Sequence, residues 1–355
     1  MLKIDSSHPG PHWKDLVRQS ITTPDALFRK LPMDPAAVAR VAEKYPLRIN
    51  PYFLSLIRKP GDPLGKQAVP DIAELETSDI LSPDPLAEEP QSPVPNLIHR
   101  YPDRVVFMVS DQCALYCRHC MRKRRTGRAK TVTPETIDAG IAYIRQTPGV
   151  RDVILSGGDP LMLDDRRLGG ILSRIRSIPH VGIIRIHTRM PGALPARVDS
   201  DLTDLLKRFL PLYVNIQFNH ADEITSDAAA ACGLLANAGI PLGSQTVLLA
   251  GVNDDPETMM ALMRGLLEIR VRPYYLHHAD PVEGTRHFRT SIETGLDIMR
   301  HLRGRLSGMG VPQYMIDLPG GGGKIPLVPE YILKSGPREL TVRNFEGKVF
   351  RYPLT

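Results

Sequence analysis

From about residue 104 the chain settles into a rhythm of apolar runs that recur about every 25–45 residues. They are VVFMVS (105–110), DVILSGG (152–158), GIIRIH (182–187), LYVNIQF (212–218), PLGSQTVLL (241–249), RPYYLHH (272–278) and QYMIDL (313–318). Each has the length of a strand, and the stretches between them carry helical signals. One begins Thr133-Pro134-Glu135, a capping residue with proline at the first helical position, and places Ile137, Ile141 and Ile144 on one face. PETMMALMRGLLEI (256–269) has the same proline start. Strand–helix alternation at this spacing predicts parallel strands joined by right-handed crossovers. Six or seven such units favour an α/β fold in the form of a full or partial barrel over a doubly wound sheet. In a barrel the chemistry gathers at the C-terminal ends of the strands. The polar clusters fall there: three cysteines after the first run, Gly157-Gly158-Asp159 after the second, His187-Thr188-Arg189 and Asn215 to His220 after the third and fourth. Gln245 lies in the fifth, Asp280 follows the sixth, and Asp317 with a glycine run closes the seventh.

Residues 1–96 read differently. Helical patches at Trp13–Ser20 and Asp34–Lys44 give way to SPDPLAEEPQSPVP (82–95), whose five prolines cannot sit inside a helix or a central strand. This stretch is expected to be an extended strap over a surface. The expected organisation is therefore a helical extension and strap (1–96), a partial parallel barrel (97–318) and a glycine-rich loop with a short C-terminal segment (319–355).

Composition narrows the possibilities. With 42% apolar and 24% charged residues, the 355-residue chain suits a globular enzyme. No stretch approaches the roughly 20 apolar residues of a membrane helix. The start, MLKIDSSHPGPHWKDL, lacks the apolar run of a secretory signal, so a cytoplasmic protein without a membrane partner is expected. The net charge of +6 comes from one place: residues 118–130 hold seven Arg and Lys, and without them 38 basic residues face 39 acidic ones. A nucleic-acid binder would spread its charge over a face, and none is expected as a partner.

Cys113, Cys117 and Cys120 lie within eight residues, and Cys232 stands alone, expected on the buried side of a helix. Three crowded thiols in a long chain point to a metal centre rather than to disulfides. Zinc wants four ligands, and His119 cannot easily reach a site that its neighbour Cys120 occupies. Three thiolates on a [4Fe–4S] cluster leave one iron open for a further ligand. Gly157 and Gly158 would let the backbone approach a ligand closely, or form an ordinary strand-to-helix turn. PGGGGK (319–324) offers backbone N–H groups to an anion. It is no Walker A loop, because Leu318 stands at the first glycine position and Ile325 follows Lys324. A lysine beside such a loop suggests a Schiff base with pyridoxal phosphate; the bland alternative is a solvated lysine on a surface loop.

CALYCRHC (113–120), with its CxxxCxxC spacing, resembles the signature of the radical S-adenosylmethionine (SAM) superfamily. Together with YPLRINPYFLSLI (45–57), SPVPNLIHRYPDRV (92–105), VRDVILSGGDPL (150–161), FNHADEIT (218–225), RPYYLHHAD (272–280), HFRT (287–290) and DLPGGGGK (317–324), it resembles lysine 2,3-aminomutase over nearly the whole chain. The resemblance implies a radical SAM barrel of the partial (β/α)6 type and an amino shift between C2 and C3 of L-lysine. It implies a [4Fe–4S] cluster on Cys113, Cys117 and Cys120, SAM near Gly157, Gly158, Asp159 and Gln245, and pyridoxal phosphate on Lys324 with help from Arg100 and Arg104. Arg122 would take the substrate carboxylate, and Asp280 and Asp317 its distal ammonium. An electron donor such as flavodoxin or ferredoxin and a homodimer or higher homo-oligomer are the implied partners. The larger relatives carry a cysteine-rich, zinc-binding tail, and Asp255 stands where they place another zinc-binding cysteine, so no zinc is expected. A short aminomutase that makes β-lysine for elongation factor P and an aminomutase for arginine are the alternatives.

Overall fold

The computed structural model describes residues 12–128 and 131–354. Five short helices, α1 (Trp13–Arg18), α2 (Pro24–Phe28), α3 (Pro35–Lys44), α4 (Pro51–Leu56) and α5 (Pro63–Ala68), precede the sheet. Four of them begin with proline behind a Thr, Asp or Asn cap, a position where the missing N–H costs nothing. Proline in this chain therefore marks helix starts as well as the strap.

Nine strands then form one sheet in chain order: β1 (Leu97–Tyr101), β2 (Arg104–Ser110), β3 (Asp152–Gly157), β4 (Ile183–Thr188), β5 (Leu212–Ile216), β6 (Leu242–Leu248), β7 (Arg272–His278), β8 (Gln313–Leu318) and β9 (Gly323–Pro326). The seven apolar runs are β2 to β8, and all their neighbouring pairs are parallel. Six crossovers join them, through α6 (Pro134–Gln146), α7 (Asp165–Arg176), α8 and α9 (Met190–Ala193, Ser200–Leu206), α10 (Ser226–Asn237), α11 (Pro256–Glu268) and α12 (Ile292–Leu302). That is six β/α units and a closing strand, the expected partial barrel. The apolar faces of the helices pack on the sheet; Ile137, Ile141 and Ile144 of α6 and Cys232 of α10 are all in that core.

Two edge strands were not legible as apolar runs. β1 pairs antiparallel with β2, and β9 antiparallel with β8. The two edges meet at a seam, where the Tyr101 hydroxyl accepts the Lys324 N–H at 2.9 Å. Lys324 thus sits on a strand and not on a loose loop, because the glycines before it turn the chain back into register with β8. A second sheet of β10 (Ile332–Ser335), β11 (Glu339–Arg343) and β12 (Val349–Pro353) follows, where only a short terminal segment was expected.

The N-terminal extension is tied to the barrel through the cysteine loop. Arg48 donates to the Gln112 side chain and to the Cys113 carbonyl, Asn50 donates to the Ala114 and Ala193 carbonyls, and Gln67 accepts the Arg118 N–H on its backbone. Glu74, fully buried, receives Arg118 at 2.6 and 2.8 Å and Lys123 at 2.6 Å. The basic run is spent internally in the same way: Arg122 on Glu88, Arg124 on Asp84 and Glu88, Arg125 on Asn96 and Thr131. Its last residue, Lys130, lies outside the described residues. Among the described residues no helix is long and apolar enough to cross a membrane. Removing the charge of Glu74 strands two buried cations, so Glu74→Gln should cost about 3–5 kcal/mol of stability. Urea unfolding of the variant beside the parent chain measures this, and a loss below about 1 kcal/mol would show that the triad is not a structural tie.

Candidate active site

One cavity of about 1100 Å³ opens inside the barrel, and every candidate residue from the sequence lines it. Cys113, Cys117 and Cys120 come from the loop after β2, Gly157, Gly158 and Asp159 from the end of β3, and Gln245 from β6. Arg100 comes from β1, Arg122 from the basic run, Asp280 from the loop after β7, Asp317 from β8 and Lys324 from β9. Arg104 also lines it, but from the start of β2, at the opposite end of that strand from the cysteines. Its guanidinium pairs with Asp103 at 2.7 Å and stacks 3.9 Å over the Tyr101 ring.

At the seam, Asp317 stands directly opposite Lys324 in the β8–β9 register, and Lys324 Nζ donates to Asp317 Oδ2 at 2.5 Å. Arg100 approaches the other carboxylate oxygen at 3.3 Å. Its remaining donors go to Gln91 Oε1 and the Leu86 carbonyl. His277, which the sequence did not single out, lies with Nδ1 3.8 Å from Asp317 Oδ2. Burial first, then the Lys324 charge, pulls His277 down to about 4, so it is neutral near pH 7. Asp280 has no cation within 4 Å among the described residues. Burial first, then Asp317, pushes it up to about 7, with Lys324 opposing.

The glycines serve the protein before any ligand. A Cβ on Gly158 would meet the Gln112 carbonyl oxygen at 2.4 Å, and Gly157, at φ 122°, has the Ser110 carbonyl oxygen equally near. The turn after β3 therefore needs both to lie against the cysteine loop. Asp159 faces inward: its carboxylate accepts from the Thr188 hydroxyl at 2.8 and 2.9 Å, from the Arg189 N–H at 2.8 Å and from the Leu161 N–H at 3.0 Å. The glycine run before Lys324 uses its own N–H groups on protein as well, Gly320 donating to the Pro85 carbonyl and Gly322 to Pro319.

All four cysteines are free thiols. Burial first, then Asp159 and the two companion sulfurs, pushes the Cys113 thiol well above its usual range. Cys117 is raised by burial, while Arg189, donating to its sulfur at 2.7 Å, opposes that rise. Three half-buried thiols gathered on one loop, with the neighbouring sulfurs disfavouring ionisation of Cys113 and Cys117, are suited to a shared cationic centre. Among the described residues no three Cys, His, Asp or Glu side chains are gathered tightly enough to cage a single ion. Asp255 caps α11, accepting from Glu257 and Thr258.

The radical SAM superfamily model matches residues 107–263, and the lysine-2,3-aminomutase model matches residues 299–354. An L-lysine 2,3-aminomutase of Acetoanaerobium sticklandii is 46% identical over 346 residues, covering 96% of this chain and 84% of that protein. The chain belongs to the lysine 2,3-aminomutase family. Another relative, the L-lysine 2,3-aminomutase of Clostridium subterminale, is 45% identical over 96% of this chain and 83% of its own. The glutamate 2,3-aminomutase of Clostridioides difficile is 42% identical over 88% of this chain and 75% of its own. Membership makes this family member a radical SAM isomerase, an aminomutase whose superfamily implies SAM and an iron–sulfur cluster.

Sequence reasoning missed Glu88, Tyr101, Ser156 and His277, and it placed Arg189 on the rim without assigning it a partner. Glu88 stood in view as one of the few acids in the strap, but nothing in a proline-rich stretch says that it turns inward.

The position of Asp280 makes stability depend on pH. Its pKa is 3.8 unfolded and about 7 folded, so ionising it costs the folded chain across that interval and costs nothing below it. Asp280→Asn should therefore gain at least about 1.4 kcal/mol over the parent between about pH 4 and about pH 8, the worth of one pK unit. Urea unfolding of both chains at the two pH values tests this, and a constant difference would mean that Asp280 ionises without penalty.

Proposed function

We propose that this chain interconverts L-lysine and β-lysine by moving an amino group between C2 and C3, with pyridoxal phosphate on Lys324 and a [4Fe–4S] cluster on Cys113, Cys117 and Cys120. The observation that carries the substrate assignment is the carboxylate pair at the seam. Asp317 and Asp280 share one region of the cavity, and the cations that act on both carboxylates are Arg100 and Lys324. Once the Lys324 amine is engaged elsewhere, two carboxylates remain with too little positive charge. A substrate that brings its own distal cation supplies it. An anionic side chain, as in glutamate, would add a third negative charge and be repelled.

When bound, the cofactors would supply a hydrogen-abstracting radical and an electrophilic carbonyl for the migrating nitrogen. The protein holds the substrate at both ends. Arg122 faces the cavity as the anchor for the α-carboxylate, and Asp280 and Asp317 fix the far ammonium, so C3 has one position along the line between them. Holding reacting atoms in such an arrangement is worth several kcal/mol of barrier. Gly157, Gly158, Asp159 and Gln245 are the proposed SAM-side wall, with Asp159 acting through the backbone that it fastens. Arg100 and Arg104 help hold the pyridoxal cofactor, Arg100 while bound to Asp317. A small amino acid and a one-electron donor are the partners that this reading requires.

The test is a product screen with anaerobically reconstituted protein and a chemical reductant, offering lysine, arginine and glutamate separately. β-Lysine as the main product is expected; β-arginine would keep the charge argument and change the substrate, and β-glutamate would defeat both. Removing one partner of a buried charge pair costs about 3–5 kcal/mol. Asp317→Asn should thus lower lysine turnover at least about a hundredfold, Asp280→Asn likewise, and the double variant less than additively, since both act on one charge. Iron content should be unaffected in all three. Lys324→Ala should lose the pyridoxal absorbance whatever the substrate.

A further inference from the structure

The strap does more than cover the barrel. Ser82 pairs by backbone with Pro281 and Glu283, just beyond Asp280, and the Pro85 carbonyl accepts the Gly320 N–H of the turn before Lys324. Gln91 folds back to donate to the Leu86 and Ala87 carbonyls at 2.7 and 2.6 Å, while its oxygen accepts Arg100. Between these ties Ala87 is held at φ 50°, a left-handed conformation that a residue with a Cβ adopts only at a cost. Strain of this kind persists where the surroundings impose it, and it tends to mark functional positions. Its effect here is to turn the next residue, Glu88, into the cavity, where it is 4% exposed.

Glu88 meets Arg122 edge-on. Arg122 Nε lies 3.1 Å from both carboxylate oxygens, Nη2 lies 2.7 Å from Oε1, and Nη1 donates to the Ser156 hydroxyl at 3.2 Å. Of the five N–H groups of a guanidinium, three are thereby taken, and one hydrogen on each Nη remains. Those two suit a second carboxylate arriving from the cavity, because guanidinium and carboxylate pair through two parallel bonds. Burial opposes the ionisation of Glu88, and Arg122 and Arg124 overcome it, so its pKa stays below the usual carboxylate range.

We propose that Glu88 is a positioning residue: it fixes the Arg122 guanidinium by its side edge and presents the free edge to the substrate's α-carboxylate. This rests on the reading of Arg122 as the carboxylate anchor. A second negative charge beside the anchor weakens attraction for an anion, so the gain from Glu88 is orientation and not affinity. Orientation decides where C3 lies, and a small misplacement of a reacting carbon is expressed in turnover.

The experiment is steady-state kinetics of the reconstituted chain, normalised to bound iron and pyridoxal, for the parent, Glu88→Gln, Glu88→Asp and Arg122→Gln. Glu88→Gln removes one arm of the paired contact, and Glu88→Asp keeps the charge but withdraws it by one methylene. Both should lower kcat at least about tenfold with KM for lysine within about threefold of the parent. Arg122→Gln should raise KM at least about tenfold. Parent-like kcat in Glu88→Asp would show that charge alone matters and overturn the proposal, as would a rise in KM without loss of kcat in either Glu88 variant. An unchanged KM in Arg122→Gln would instead defeat the assignment of Arg122 as the anchor. If Glu88→Gln fails to take up iron, Glu88→Asp, which preserves the ion pair, decides the matter.

Discussion

A single buried carboxylate closes this protein's barrel around its chemistry. Asp317 receives Arg100 from the first strand of the sheet and Lys324 from the last, so two cations that enter from opposite edges meet on one anion. Among the described residues the two edge strands are not paired by a backbone ladder; the Tyr101–Lys324 contact and the Asp317 ion pairs are what span the seam. The geometry of the candidate site follows from that closure. A sheet left open there would place Lys324 and the cysteine loop in separate solvent-exposed regions instead of on one cavity.

The segments outside the repeating units do the aligning. The extension grips the cysteine loop through Arg48, Asn50 and Gln67, and Glu74 anchors the basic run that follows it. The strap connects the Asp280 loop, the glycine turn, Arg100 and Arg122. Hydrogen bonds to backbone groups make some of these contacts and buried ion pairs the others, and together they fix one arrangement of their partners. A site assembled from the ends of several strands needs that uniqueness, because each strand end alone has freedom to shift.

In the proposed reading, charge compensation gives the site a physical basis for preferring a cationic side chain. Burial first, and then the neighbouring Asp317, raises the pKa of Asp280, and in the proposed reading a cationic side chain relieves that cost. A relative of this chain at 42% identity is a glutamate 2,3-aminomutase, for which that reading expects a different charge pattern at the far end of the cavity.

The local chemistry of the chain was determined by its sequence: the seven parallel strands from their apolar runs, the helix starts from capping residues and prolines, and the thiol triplet from its spacing. Each depends on neighbours within a few residues, which is why pattern alone reveals it. The thirteen candidate residues were legible on the same grounds and on a family likeness, and all of them face one cavity. What the tertiary structure alone decided was what those residues touch. It put Lys324 on a strand because the glycine turn brings its backbone into register with β8. It spent the basic run on Glu74, Glu88 and Asp84, and it tied the Asp159 carboxylate to Thr188 and to the Arg189 N–H. It drew Glu88 out of a proline-rich strap onto Arg122. The partners in these contacts lie 29 to 49 residues apart, or only 7 at the Asp317–Lys324 hairpin and 217 at the Arg100–Asp317 seam. An ion pair or a hydrogen bond across such a separation has no periodicity to betray it, because it forms only after the barrel has closed.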